Sequence, residues 1–265
     1  MQPVLPVINA FWIGPRLGPI HAMCLRSFVL AGHRVVLHIY ERPGDVPEGV
    51  ETADASLLMP ESRVVRYKSN GSPSLFSNLF RLKILENDLG VYVDCDVFCL
   101  KPFEGRDYLF GFEDDDTLNG AVLGLPRDSE MLARALEMTR DPHYIAPWLK
   151  PRKRRQLRLR KALGLPASLT DYKWGVLGPQ AITYFAGASG KLHLGAPPDM
   201  FYPVHYRRVK TLLDPGLDIA DLVTGRTVGI HLYNEVLKSF AGAGGIHGDS
   251  PLGQMFKHCG HELPS

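Results

Sequence analysis

Apolar positions along the chain fall into short runs separated by turn residues. Val4 to Ile13 is mostly apolar with several β-branched side chains and ends at Gly14-Pro15, which predicts a buried strand and a turn. Pro19 to Ala31 carries apolar residues at helical spacing and stops at Gly32, a C-cap residue. Arg34 to Tyr40 reads as a second strand. A strand–helix–strand opening argues for a largely parallel sheet covered by helices. Glu41 to Glu61, rich in Pro, Gly and acids, reads as an irregular connection, and Val64 to Tyr67 as a short strand.

A well-marked helix follows. Ser72 is a candidate N-cap, Pro73 suits the first helical position, and Gly90 ends the segment. Leu75, Leu79, Leu82, Leu85 and Leu89 form its apolar stripe, with Asn78 and Arg81 together on another face. Val91 to Val97 then predicts a central strand whose carboxylates lie at its C-terminal end. Tyr108 to Phe112 and Gly120 to Leu125 read as strands around the acidic run Glu113 to Asp116, which lacks calcium-loop spacing and suits either a solvated loop or, just before Asn119, one acid directed into a site. Ser129 to Met138 reads as a helix, Trp174 to Phe185 as a turn and a helix, and Thr227 to Leu232 as a late strand. Ala241 to Gly248 is a Gly-rich stretch with the composition of a closing flap.

The chain has 265 residues, enough for a sizeable core, with 45% hydrophobic and 22% charged residues. That composition excludes a disordered, collagen-like or coiled-coil protein. No apolar run is long enough to predict a spanning helix, and Met1 to Pro6 has no basic leader. Cys24, Cys95, Cys99 and Cys259 have neither zinc-site spacing nor the density of a disulfide scaffold, so reduced thiols and a cytoplasmic location are expected.

The net charge of +2 hides an asymmetry: Lys150 to Lys161 holds eight of the 30 cations and no acid, while the other 22 face 28 acids, about −6. This basic run suits either a solvated face or, with Trp148, Leu149, Leu157, Leu159 and Leu163 beside it, the surface of an anionic membrane. At roughly 1 kcal/mol per cation, eight suffice for reversible attachment to the inner face of a membrane. No RNA-binding motif accompanies the run, and no nucleic-acid partner is expected.

The sharpest chemical feature is Asp94-Cys95-Asp96. In a strand, residues i and i+2 point the same way, so both carboxylates face one ion. Two hard oxygen ligands suit Mn²⁺ or Mg²⁺, which neutralises a departing diphosphate. Trp12, at a strand end, suits either a core position or nucleotide stacking.

With its flanks, this block resembles the conserved region of DxD sugar transferases, including glycosyltransferase family 32 and α1,4-galactosyltransferase-like members. Ser77-Asn78-Leu79-Phe80-Arg81 through Leu89-Gly90-Val91-Tyr92-Val93-Asp94-Cys95-Asp96-Val97 carries the spacing. Phe11-Trp12-Ile13-Gly14, Leu118-Asn119-Gly120-Ala121, Trp174 to Gln180, Pro197 to Pro203 and Ile230-His231-Leu232-Tyr233-Asn234 resemble further blocks in order. Asn78 stands where the family has Asp, and Tyr233 where it has Trp.

The resemblance implies a GT-A-like fold, a mixed, mainly parallel sheet flanked by helices in one domain over residues 1–265, with a basic insertion over about 141–172. It implies a hexosyltransferase, retaining at the anomeric carbon, that uses a UDP-sugar donor, Mn²⁺ or Mg²⁺, and a glycan or glycolipid acceptor. Asp94, Asp96 and His231 would hold the metal, and Asp94, Asp96, Arg81 and Asn119 would act at the reacting sugar. Trp12, Asn78, Arg81, Asp94 and Lys238 would bind the donor, and Gln180 and Asp171 are further candidates for the donor or acceptor pocket. Two other readings are a toxin-like protein O-glycosyltransferase and a silent sugar-nucleotide or glycan-binding module.

Overall fold

The structure is a computed structural model that describes residues 5–240 and 245–263. In chain order the elements are β1 (Ile8–Trp12), α1 (Pro19–Leu30), β2 (Val35–Ile39), β3 (Val50–Asp54), α2 (Ser74–Glu86), β4 (Val91–Val93), β5 (Val97–Cys99), β6 (Leu109–Phe112) and β7 (Leu118–Gly124). They continue with α3 (Glu130–Arg140), α4 (Pro151–Ala162), α5 (Pro179–Ala188), α6 (Pro198–Phe201), β8 (Gly229–His231), α7 (Asn234–Leu237) and α8 (Pro251–His258).

Six strands form one sheet in the order β3-β2-β1-β4-β7-β6, and β5 pairs with β8 in a separate two-stranded ribbon. The β1–β2, β2–β3 and β1–β4 pairs are parallel, and the β4–β7 and β6–β7 pairs antiparallel. The fold is thus α/β with a mixed, mainly parallel sheet.

Strand alternation explains the layers. Tyr92 and Phe11 point into a core shared with α2, α3 and α5. Their neighbours Val91, Val93 and Ala10 point into a core shared with Leu25 and Phe28 of α1. Apolar side chains on both faces bury the sheet between helices. A third cluster joins β5, β8 and α1 to α8 through Phe98, Ile230, Met23 and Phe256.

Several expectations change. Glu41 to Glu61 is not wholly irregular, because Val50–Asp54 extends the sheet as its edge strand. Only Val50 of that strand is fully buried, so its sequence lacks a strong apolar signal. Val64 to Tyr67 is not a strand, and Tyr67 instead closes a turn with Gly71 and Ser72. Helix α2 ends at Glu86, so Leu89 lies beyond its stripe. Gly90 then enters β4 at φ 118°, where a Cβ would strike the Val7 carbonyl. Residues 241–244 of the Gly-rich stretch, and Met1 to Val4, lie outside the described residues.

The basic helix α4 is fixed to the body by Leu157, its one buried residue, which joins the α2–α3–α5 core. Trp148 also packs inward, on Tyr184 and Phe185, and its Nε1 donates to the Val176 carbonyl at 2.9 Å. No helix among the described residues is long and apolar enough to cross a membrane.

Candidate metal and donor site

Strand order places the site. From β1 the chain runs outward through β2 and β3, then returns to β4 on the other side. The β1–β4 junction is therefore a switch point, and ligands of open α/β sheets bind beyond the strands' C-terminal ends there. Trp12 ends β1 and Asp94 follows β4. Asn119 and Gly120 reach the same edge because β7 runs antiparallel, with the Asp94 N–H donating to the Ala121 carbonyl at 2.8 Å.

The two carboxylates meet differently from the strand expectation. Strand β4 stops at Val93, and Asp94-Cys95-Asp96 forms a turn closed by the Val97 N–H on the Asp94 carbonyl at 3.1 Å. The turn moves the chain from the main sheet into the ribbon. There β8 sets His231 opposite Val97, and the Leu232 N–H donates to the Asp96 carbonyl. Ligand atoms of Asp94, Asp96 and His231 consequently lie within 4.8 Å of one another.

Each carboxylate has its own support. Asp94 Oδ1 accepts from Arg81 Nη2 at 3.0 Å and from the Tyr92 hydroxyl at 2.6 Å. Arg81 is buried, with Nε on the Ser77 carbonyl and its guanidinium 4.7 Å from the centre of the Tyr92 ring. Its Nη1 lies against Gly120, where any Cβ would collide with it. That contact explains the glycine in Asn119-Gly120. Asp96 Oδ2 accepts the Asn234 N–H at 2.9 Å, and Oδ1 lies 3.3 Å from His231 Nε2.

Electrostatics sharpen the pair. Burial by itself pushes the Asp96 carboxyl up, but the charge and hydrogen bond of His231 and the Asn234 N–H hold it well below the usual carboxylate range. Burial pulls the His231 imidazole down, yet Asp96, with Asp94 and Glu113 nearby, holds it above its ordinary value. His231 Nδ1 is buried without a hydrogen-bond partner. Two carboxylates and an imidazole with an orphaned nitrogen form a donor set suited to a divalent cation.

Glu113 joins the site from the β6–β7 hairpin. Its Oε2 accepts from Asn119 Nδ2 at 2.6 Å and lies 3.5 Å from the Tyr233 hydroxyl. Burial pushes its carboxyl up, against the lowering hydrogen bond from Asn119. Within the acidic loop the residues thus separate: Asp114 accepts the Asp116 and Thr117 N–H groups and closes the turn, while Glu113 faces inward. Tyr233 adopts a left-handed backbone, φ 47°, and its ring centre lies 4.0 Å from that of His231. A bulky residue in that region marks a conformation imposed by its surroundings.

The other candidates are spread around this centre. Trp12 is half-buried, its ring 4.5 Å from His21. His21 Nε2 reaches Asn234 Nδ2 at 3.0 Å, linking Trp12 to the Asp96 support. Asn78 lies against Gly178 at the start of α5. Lys238 pairs with Glu235 at the surface, and Asp171 pairs with Lys68 while capping its own turn. Gln180 is exposed on α5.

The sequence offers Glu113 only as one acid of the Glu113 to Asp116 run before Asn119, and it gives Tyr92, His21 and Asn234 no role of their own. Glu113 carried one usable signal, its place between an apolar strand and Asn119. Asn234 appears only as the last residue of the Ile230 to Asn234 block, and His21 carries no signal, since its partner is remote in sequence.

No protein-family model matches the chain, and no curated protein matches it. Among solved structures, the chain is similar to the PaToxG glycosyltransferase at 12% identity, covering 72% of this chain and 74% of that one, with a TM-score of 0.42. It is also similar to apo mouse xyloside xylosyltransferase 1 at 12% identity, covering 72% and 84%, with a TM-score of 0.35. The functional reading rests on the residues of the site.

Proposed function

We propose that the chain is a metal-dependent glycosyltransferase of the GT-A type, moving a hexosyl unit from a UDP-sugar to a hydroxyl of a glycan or lipid-linked glycan. The observation that carries the reading is the convergence of Asp94, Asp96 and His231 at the sheet's switch point, with buried Arg81 and Asn119 beside them. Those three residues would hold the cation, and the mixed oxygen and nitrogen donors suit Mn²⁺. When bound, such an ion supplies Lewis-acid neutralisation of a leaving diphosphate.

The protein's own groups orient and select. Arg81 and Tyr92 fix the rotamer of Asp94 through its Oδ1. Trp12, at the mouth of the switch point, offers an aromatic face for the uracil. Asn119 holds the Glu113 carboxylate toward Tyr233, where it can accept a hydrogen bond from a sugar hydroxyl. Asn78, on the same helix face as Arg81, can donate as well as accept, which bears on donor choice.

The test is UDP release from a panel of UDP-sugars with Mn²⁺, with Mg²⁺ and with chelator. Release from one sugar that the chelator abolishes is the expected result. Release indifferent to chelator, or no UDP binding with either ion, overturns the reading.

A further inference from the structure

We infer that helix α4 docks the protein on an anionic lipid bilayer, inserting Leu159 and Leu163 among headgroups while Arg152, Arg155 and Arg158 meet lipid phosphates. The helix is pinned in one rotation. Leu157 is buried in the core. Leu159 lies two residues on, roughly 200° around the axis, and therefore points the opposite way. It is 61% exposed, and Leu163, one turn later on the same side, is 68% exposed. Arg152 and Arg155 fall within about 40° of Leu159 on that wheel, and Arg158 flanks them. None of these three arginines has an acidic partner within 4 Å among the described residues, whereas Lys161, on the body side, pairs with Asp141.

Two features choose a bilayer over a nucleic acid. A phosphate backbone satisfies the arginines but leaves both leucines in water, while a headgroup layer accepts both. Leu165, 66% exposed just past the helix, adds a third apolar side chain to the end of the run. The acidic remainder of the chain, about −6 without the run, favours contact through this helix and disfavours other faces. Trp148 and Leu149, offered by the sequence as membrane-facing, are instead packed inward and hold the root of the helix. That root leads to the site: Val176 accepts from Trp148, and Gly178 lies against Asn78 on α2. Docking is independent of the proposed activity; its use, presenting the site to a lipid-linked acceptor, rests on that reading.

Co-sedimentation of the full chain with vesicles of phosphatidylcholine alone, or of phosphatidylcholine with phosphatidylglycerol, tests the inference. Binding to the anionic vesicles only, weakening with salt, is expected. A Leu159→Ser/Leu163→Ser variant should bind them at least about tenfold more weakly, and an Arg152→Gln/Arg155→Gln/Arg158→Gln variant should lose binding. Both should keep the wild-type melting temperature and metal-dependent UDP release, which separates lost docking from a lost active site. No binding, equal binding to both vesicle types, or full binding by the leucine variant overturns the inference. In the last case, equal affinity of wild type and leucine variant for duplex RNA identifies a plain polyanion site.

Discussion

Asp96 does two jobs at once. It is a candidate ligand, and it is also the acceptor that fixes the Asn234 N–H and faces His231. A carboxylate at a strand end that fills no core volume is ordinarily removed without harm to the fold. The structure makes removal costlier, because a buried N–H and a buried imidazole lose their partner together. Asp96→Ala is expected to abolish metal-dependent UDP release and to destabilise the protein by about 1–3 kcal/mol. Urea denaturation beside the activity assay checks both, and undiminished turnover would remove Asp96 from the site.

Among elements, the contact between α2 and β7 decides whether Asp94 is held correctly. Arg81 comes from α2, Asp94 follows β4, and Gly120 of β7 makes room for the guanidinium. A methyl at Gly120 has no free volume, so Arg81 must leave its position on Asp94. Gly120→Ala should cost about 1–3 kcal/mol in stability and lower metal-dependent turnover at least about tenfold, with an unchanged far-ultraviolet spectrum. Wild-type activity in this variant would show that Arg81 does not need its place. The helix face of Arg81 was legible from its spacing with Asn78, but its burial was not. An arginine on a polar face is ordinarily solvated, and only a carboxylate arriving from another strand permits it to be enclosed.

At the scale of the molecule, burial of histidines makes stability depend on pH. His38 sits in β2 with Nε2 2.9 Å from Asn9 Oδ1, and burial lowers its pKa to about 4. The unfolded chain therefore takes up a proton near pH 6.5, before the folded one does. Stability from this group is complete above about pH 6.5 and declines as pH falls toward about 4, by up to about 3 kcal/mol. His33 acts in the same direction, also through burial. His231, whose pKa is raised, acts in the opposite direction, so the His38 share is the difference between wild type and His38→Gln in urea midpoints across that range. Identical slopes for the two proteins would exclude it.

Local chemistry in the sequence determined most elements, the carboxylate pair and its place beyond a strand end. Repeating apolar positions and Gly or Pro stops encode those features within a few residues. The edge strand β3 escaped because one buried residue leaves almost no alternation to read. The rest depended on pairings that no local pattern specifies. The Asn234 N–H meets Asp96 across 138 positions, through the β5–β8 ribbon. Tertiary structure brought the two aspartates together with His231 by a tight turn instead of a pleat, drew Glu113 out of an acidic run and chose which leucines of the basic helix face outward. Each is settled by which partner excludes water from a side chain, and that partner is fixed only when distant segments pack.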